Sequence, residues 1–283
     1  CSSDLKFFSL SNVEAYAMNP KSEKNFNKQS ADIFEAVSNK SSGVFFDDSK
    51  RVKVVFPGLT KGSVRKLKYT LDSENPYMIQ GHFFKNYRPV KKSVLRVTFP
   101  SSVNISFKTY GDFENIKFTQ STSRGTTTFE WQAENLPELE NEYMAPDYKY
   151  LAPKVQLLIN DYTINGEKKE VLSDVAHLYK YYNSLVKTVD LGLNEEMKKI
   201  TDELTKGKSE IEKVRNVYYW VQDNVHYVAF EDGMSGFIPR SPQSVFLKKY
   251  GDCKDMATLI YAMLNHAQIK ARLGWIGTRS IPY

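Results

Sequence analysis

The chain has 283 residues, of which 41% are hydrophobic and 25% are charged, a composition typical of a folded protein with room for two domains. No run approaches the roughly 20 apolar residues that a membrane-spanning helix requires, so the sequence predicts no membrane-spanning segment. The net charge of +6 comes from scattered lysines and arginines rather than from one basic stripe with interleaved aromatics, which argues against a nucleic-acid partner.

The first 165 residues consist mostly of short runs in which apolar and polar residues alternate. Glycine, proline, asparagine and aspartate separate these runs. The clearest runs are 51–56, 63–71, 93–99, 103–107 and 126–131. Alternation is typical of antiparallel strands with one packed and one wet face, so the sequence predicts an N-terminal antiparallel β-sandwich.

After Gly166 the apolar period becomes helical. Helices are predicted at 175–189 and 195–204, the second capped by Asn194. A further helix carries an apolar stripe at Ile211, Val214, Tyr218, Val221 and Val225. Two glycines and two prolines make 231–242 a loop. The predicted fold class is therefore α+β, with a sandwich domain at 1–170 and a helical domain at 171–283.

The most informative segment surrounds Cys253, one of only two cysteines, the other being Cys1. Apolar residues at helical spacing follow it, at Met256, Ala257, Ile260, Met263, Leu264 and Ala267. Asp252 is a natural N-cap, Asp255 completes a box-like pair with it, and Gly251 is expected to let the backbone turn into the helix. Cys253 is therefore predicted at the N-terminus of a helix.

That position suits a nucleophile. A cysteine reacts as the thiolate, and unpaired N–H groups at a helix N-terminus stabilise both this anion and the oxyanion of a tetrahedral intermediate. Asp252 and Asp255 oppose ionisation of the thiol and Lys254 favours it, and the balance stays open. On the residues alone, a small buried cysteine that begins a helix remains the alternative.

The sequence Tyr-Gly-Asp-Cys-Lys-Asp at 250–255 resembles the nucleophile motif of bacterial transglutaminase-like domains, which are papain-type cysteine enzymes. Segments 217–227, 239–250 and 269–279 are similar to the family's lead-in helix, its active-site loop and its first strand after the catalytic helix. The resemblance covers 172–283. It implies that Cys253 is the nucleophile in acyl transfer or hydrolysis, with a peptide or protein as the substrate.

The N-terminal half resembles DUF3857, a sandwich domain that precedes such domains in bacterial envelope proteins, through segments 54–63, 67–71 and 89–100. The resemblance implies a cell-envelope location, periplasmic or secreted. Cys1 is either the lipidated first residue of a mature lipoprotein or a residue at which a longer sequence is cut. The second interpretation is preferred, because the family's opening strands would precede Ser2.

The family's catalytic His and Asp lie on strands beyond the segment that ends here at Tyr283, so the resemblance implies a chain cut at both ends. His266 lies 13 residues after Cys253 on the same predicted helix, about 20 Å from the thiol, and cannot be the base. His82, His177 and His226 match no base motif. Without the later strands, 272–278 is expected to form an exposed strand edge.

Two functional alternatives follow. The first is a cysteine enzyme acting through a thioester, with residues 1–283 themselves inactive. The second is an inactive envelope scaffold whose sandwich binds proteins or glycans. The sequence has no paired Cys/His spacing and no phosphate-binding glycine loop, so it predicts no metal or nucleotide cofactor.

Overall fold

The computed structural model describes residues 2–4, 8–22, 25–37, 44–47, 49–140, 142–231 and 233–276. Strands occupy the chain up to residue 170 and helices dominate from residue 175, so the predicted α+β class is confirmed. Cys1 lies outside the described residues. No helix in the described ranges combines the length and apolarity needed to cross a membrane.

The strands and helices follow in chain order. The first strands are β1 (Ser2–Asp4), β2 (Phe8–Pro20), β3 (Phe26–Ser30), β4 (Asp32–Val37), β5 (Val44–Asp47), β6 (Ser49–Val55) and β7 (Val64–Ser73). The next are β8 (His82–Phe83), β9 (Val90–Pro100), β10 (Val103–Tyr110), β11 (Ile116–Ser123), β12 (Thr126–Leu136), helix α1 (Tyr148–Leu151), β13 (Lys154–Ile164) and β14 (Glu167–Glu170). The helical part contains α2 (Val175–Val186), α3 (Glu195–Thr205), α4 (Glu210–Asn224), β15 (His226–Tyr227), β16 (Ala229–Glu231), a 3₁₀ turn (Gly233–Gly236), α5 (Pro242–Lys248), β17 (Tyr250–Gly251) and α6 (Cys253–His266).

The chain forms two compact units. One contains the residues up to Glu74 together with Asn183–Gly274, and the other contains Asn75–Tyr182 together with the residues from Trp275 onward. The change from strand to helix lies between the end of β14 and the start of α2. The domain boundary at residue 170 stays a prediction.

The unit built on Asn75–Tyr182 holds the antiparallel sandwich. One sheet has the order β11–β12–β9, and the other has the order β10–β13–β14 with β8 also paired to β13. Trp131 of β12 and Val155 of β13 are buried in one shared core. Phe107 of β10 meets the Trp131 ring edge-on, with the ring centroids 4.8 Å apart. Because aromatic and β-branched side chains from both sheets meet in this core, the alternating runs at 93–99, 103–107 and 126–131 form a two-layer structure, whereas the runs at 51–56 and 63–71 lie in the sheets of the other unit.

The other unit combines two antiparallel three-stranded sheets, β3–β2–β7 and β1–β6–β4, with the helices α3–α6. Helix α6 packs against α3, α4 and α5. The helical core is apolar, and its fully buried side chains include Met197, Val217, Val221, Val245, Leu259 and Met263. The core therefore fixes α6 on three sides, and with it the residue at which α6 begins.

The apolar stripe predicted for α4 was partly wrong. Ile211 is 66% exposed and Tyr218 is 53% exposed, whereas Val217 is fully buried. Val217 and Val221 lie one turn apart on the face that packs into the helical core. A mixed apolar run is compatible with two neighbouring faces, and packing against the other helices selects between them.

The face predicted for α6 also needs correction at one position. Ala257 is exposed, and Thr258 and Leu259 are buried instead. Met263 and Leu264 are buried as predicted. Alanine carries too little apolar surface to decide which face of a helix turns inward.

The predicted strand at 269–279 is not observed in its described part. Residues 269–276 contain no strand, and 277–279 lie outside the described residues. A strand requires a hydrogen-bonded partner, and no described strand pairs with this segment. The expected strand edge is therefore absent over 272–276, although Ile276 is 92% exposed, as expected for uncovered apolar surface.

Candidate active site

Cys253 is the first residue of α6, and its side chain is an exposed free thiol. Asp252 precedes it as the N-cap, with an extended backbone, and its Oδ1 accepts hydrogen bonds from the backbone N–H of Lys254 (3.2 Å) and of Asp255 (3.3 Å). The predicted position of the cysteine and the predicted cap are confirmed. The role of Cys253 as a nucleophile stays a prediction.

Asp255 completes the capping box from inside the protein. Its side chain is 1% exposed, and its Oδ2 accepts a hydrogen bond from the backbone N–H of Asp252 at 3.1 Å. Arg240 supplies three more donors, because its backbone N–H reaches Oδ1 at 2.7 Å and its Nε and Nη2 reach Oδ2 at 2.8 and 2.6 Å. A buried carboxylate requires this level of compensation.

Arg240 was not predicted from the sequence. It lies 15 residues before Asp255, in a loop with no periodic relation to α6. One signal was available, because an acidic residue on the inward side of a capping box requires a cation or several donors. Arg215 and Arg240 both lie between Asn183 and Asp255, however, and Arg272 and Arg279 follow, so the residue types alone do not select among them.

The charges around the thiol are balanced in pairs. The carboxylate of Asp252 forms an ion pair with Lys254 Nζ, and that of Asp255 with Arg240. Arg240 also lies over the Tyr250 ring, with the guanidinium carbon 5.0 Å from the ring centroid. The two carboxylates that oppose formation of a thiolate are therefore each paired with a cation, and one of these cations, Arg240, was not predicted from the sequence.

Gly251 is needed for space rather than for backbone freedom. Its φ is not positive. A Cβ at this position would lie 2.8 Å from Cβ of Asp255 and 3.2 Å from Cγ1 of Val245, both closer than ordinary van der Waals contact. The expectation that Gly251 serves a sharp turn is therefore replaced by close packing of the segment against α5 and α6.

Backbone pairing holds the segment that leads to Cys253. β17 pairs in parallel with β15, the backbone N–H of His226 donates to the Lys249 carbonyl at 2.8 Å, and that of Val228 donates to the Gly251 carbonyl at 3.0 Å. Lys249 ends α5 in the left-handed conformation, with φ 55°. The ends of α4 and α5 together therefore set the direction from which the chain enters α6.

The four histidines of the chain are all described, and none donates to or accepts from Cys253 in the described structure. His226 lies opposite Tyr250 in the β15–β17 pair, with an exposed side chain. His266 ends α6 and pairs with Asp202 at 3.0 Å. In the sandwich unit, His82 Nε2 lies 2.9 Å from Ser93 Oγ and burial lowers its pKa, while His177 is held between two carboxylates.

An open, charged depression of about 720 Å³ lies between α3 and the C-terminal end of α6. Its lining includes Lys198, Asp202 and His266 but not Cys253. Because it lies at the opposite end of α6 from the thiol, it is not the candidate active site.

Comparison with known families supports both resemblances. Residues 5–140 match the family profile of DUF3857, a domain of unknown function with a solved structure, and residues 198–279 match the transglutaminase-like superfamily. The predicted order of the two domains is confirmed. A comparison with curated proteins gives no match.

One solved structure is similar in fold. It is a protein from Parabacteroides distasonis provisionally designated a protease, and it matches with a TM-score of 0.70 and 19% sequence identity. The match covers 95% of this chain and 50% of that protein, so this chain spans about half its length. At this identity the likeness shows a shared fold.

Proposed function

We propose that this chain, which contains a DUF3857 domain followed by a transglutaminase-like domain, supplies the nucleophile of a cysteine enzyme that hydrolyses or transfers acyl groups of peptide or amide bonds. One observation carries the proposal. Cys253 is an exposed, free thiol on the first residue of a capped helix whose other end is anchored in the core. Solvent access and a position at a positive helix end both favour a reactive thiolate.

In the proposed reaction, Sγ of Cys253 attacks the carbonyl carbon of the substrate and the C–N bond breaks. The amine leaves with a proton, and the resulting thioester passes its acyl group to water or to a second amine. The oxyanion needs a donor. Among the described groups, the N–H bonds of Lys254 and Asp255 already donate to Asp252, whereas that of Cys253 donates to none, so we assign the oxyanion contact to Cys253 N–H.

A general base is also required, and the family resemblance implies one supplied by residues after Tyr283, which stays a prediction. The resemblance of the N-terminal half to DUF3857 is the ground on which we propose a cell-envelope location. A second candidate function is a binding or scaffold protein with an inactive enzyme-like domain. It is favoured by a single observation, that no histidine is hydrogen-bonded to Cys253 within the described residues.

Turnover of peptide and amide substrates by the full-length protein tests the proposal. We expect Cys253→Ala to lower the rate of turnover by several orders of magnitude, because removing one member of a group of cooperating catalytic residues abolishes most of the rate acceleration that they provide together. Cys1→Ser is the matched control and is expected to keep full activity. An added primary amine distinguishes transfer from hydrolysis. Equal activity with and without the thiol would remove Cys253 from the mechanism, and no turnover in either protein would favour the scaffold.

A further inference from the structure

Arg240 connects the loop before α5 to the first turn of α6. Its guanidinium and its backbone N–H both bind the Asp255 carboxylate, which in turn accepts from the N–H of the residue just before Cys253. The buried carboxylate of Asp255 therefore joins the loop that carries Arg240 to the residue that caps α6.

We propose that Arg240 and Asp255 form a positioning clamp for Cys253, in which Arg240 also neutralises the negative charge that Asp255 brings to the helix N-terminus. The effect of this clamp on catalysis rests on the proposed function, in which Cys253 is the nucleophile. Neither residue touches the thiol in the described structure, so both act through the position and the surroundings of Cys253.

The geometry supports the positioning part of the proposal. Asp255 is 1% exposed, so water does not screen its four hydrogen bonds. Its bond to Asp252 N–H fixes the residue before Cys253, and its bonds to Arg240 fix the loop that follows the 3₁₀ turn. Gly251 packs against the Asp255 side chain, so any shift of that carboxylate also disturbs the segment entering α6.

The charges support the neutralising part. Asp255 lies two residues after Cys253 on the first turn of α6, where an unpaired carboxylate would cancel the positive end of the helix. With Arg240 in place the pair adds no net charge beside the thiol. Without Arg240, an uncompensated buried anion would disfavour formation of a thiolate.

The alkylation rate of Cys253 by iodoacetamide measures this effect without turnover. All variants carry Cys1→Ser, so that Cys253 is the one thiol of residues 1–283, and circular dichroism confirms that each variant is folded. We expect Arg240→Met to slow alkylation about tenfold, through repulsion of the thiolate by Asp255. Arg96→Met is the matched control, because Arg96 pairs with Glu130 at 2.6 Å on an exposed sheet face, and its alkylation rate is expected to stay unchanged.

The double variant Arg240→Met/Asp255→Asn separates charge from simple packing. It removes the anion together with its cation, so we expect it to react faster than Arg240→Met alone. If the clamp only filled space, the double variant would be at least as slow as the single one. That order of rates, or a normal rate in Arg240→Met, would overturn the proposal.

If Arg240→Met does not fold, a variant that keeps the positive charge tests whether Arg240 positions Cys253. Arg240→Lys keeps the cation but cannot place two nitrogens on Oδ2, and we expect an alkylation rate lowered about threefold. An unchanged rate would overturn the positioning role. Because alkylation reads the thiol directly, loss of the clamp is distinguishable from failure of the proposed enzyme activity, which only turnover with Cys253→Ala reveals.

Discussion

At the scale of single residues, Gly251 shows how little space separates the segment entering α6 from the helix itself. The nearest side-chain atoms to its missing Cβ are Asp255 Cβ and Val245 Cγ1, neither of which is the far end of a flexible side chain. Asp255 is also held by Arg240, so it cannot move aside without breaking a buried ion pair. A methyl group at this position therefore has to displace backbone.

We predict that Gly251→Ala lowers the free energy of unfolding by about 1–3 kcal/mol, the usual cost of overpacking a tight site. Gly274→Ala is the control, because a Cβ at Gly274 meets nothing within 4 Å, and its stability is expected to match that of the unaltered chain. Urea unfolding of the two variants gives the comparison. Equal midpoints for both would show that the segment yields more easily than its contacts indicate.

At the scale of elements, the His177 side chain links the start of α2 to the end of β14 through hydrogen bonds. Its Nε2 lies 2.7 Å from Glu170 Oε2 and its Nδ1 lies 2.8 Å from Asp174 Oδ1, with 14% of its side chain exposed. Hydrogen bonds to Glu170, and then to Asp174, raise the pKa of His177. The hydrogen bond from the His177 ring lowers the pKa of Glu170, while the backbone N–H of His177, and then its ring, lower the pKa of Asp174. The stability of the junction between β14 and α2 is therefore expected to depend on pH.

The raised pKa of His177 means that its stabilisation is complete below about pH 6.5 and is lost as pH rises through its value in the folded protein. The pKa values of Glu170 and Asp174 are lowered, so the stabilisation that their carboxylates contribute is present above about pH 4.5 and is lost in more acidic solution. We therefore predict that His177→Ala destabilises the chain more at pH 5.5 than at pH 8.5. Ser173→Ala, which removes a neutral partner of the same ring, is expected to have the same effect at both pH values. Urea unfolding at the two pH values provides the measurement, and an equal loss in His177→Ala at both would contradict the linkage.

Local signals predicted the elements well where they act within one turn. Asn194 caps α3 and Asp252 caps α6, as their residue types and spacing indicated. The signals were weaker where a decision depends on distant residues. The inward face of α4 depends on α6, and the partner of Asp255 is an arginine in another loop, so neither follows from the local pattern.

At the scale of the whole molecule, the change of apolar period near residue 166 was enough to predict an α+β chain, because strands and helices bury side chains with different repeats. The parallel pairing of β15 with β17 and of β16 with β5 was not predicted. These strands have two to four residues, too few for an alternating pattern to be visible. They join parts of the chain that are distant in sequence, so pairing between them is a tertiary property.

Residues 1–283 by themselves are predicted to be catalytically inactive. We expect no measurable peptide or amide turnover, because His266 is about 20 Å along α6 from the thiol and no described histidine is hydrogen-bonded to Cys253. Alkylation of Cys253 by iodoacetamide should survive, since the thiol is exposed and lies at a helix N-terminus. Peptide turnover and thiol modification are measured on the same preparation, with Cys253→Ala as the control for both. Turnover that disappears in His226→Ala would place the base on β15, beside the segment entering α6, and would show that the chain contains a working pair of cysteine and histidine.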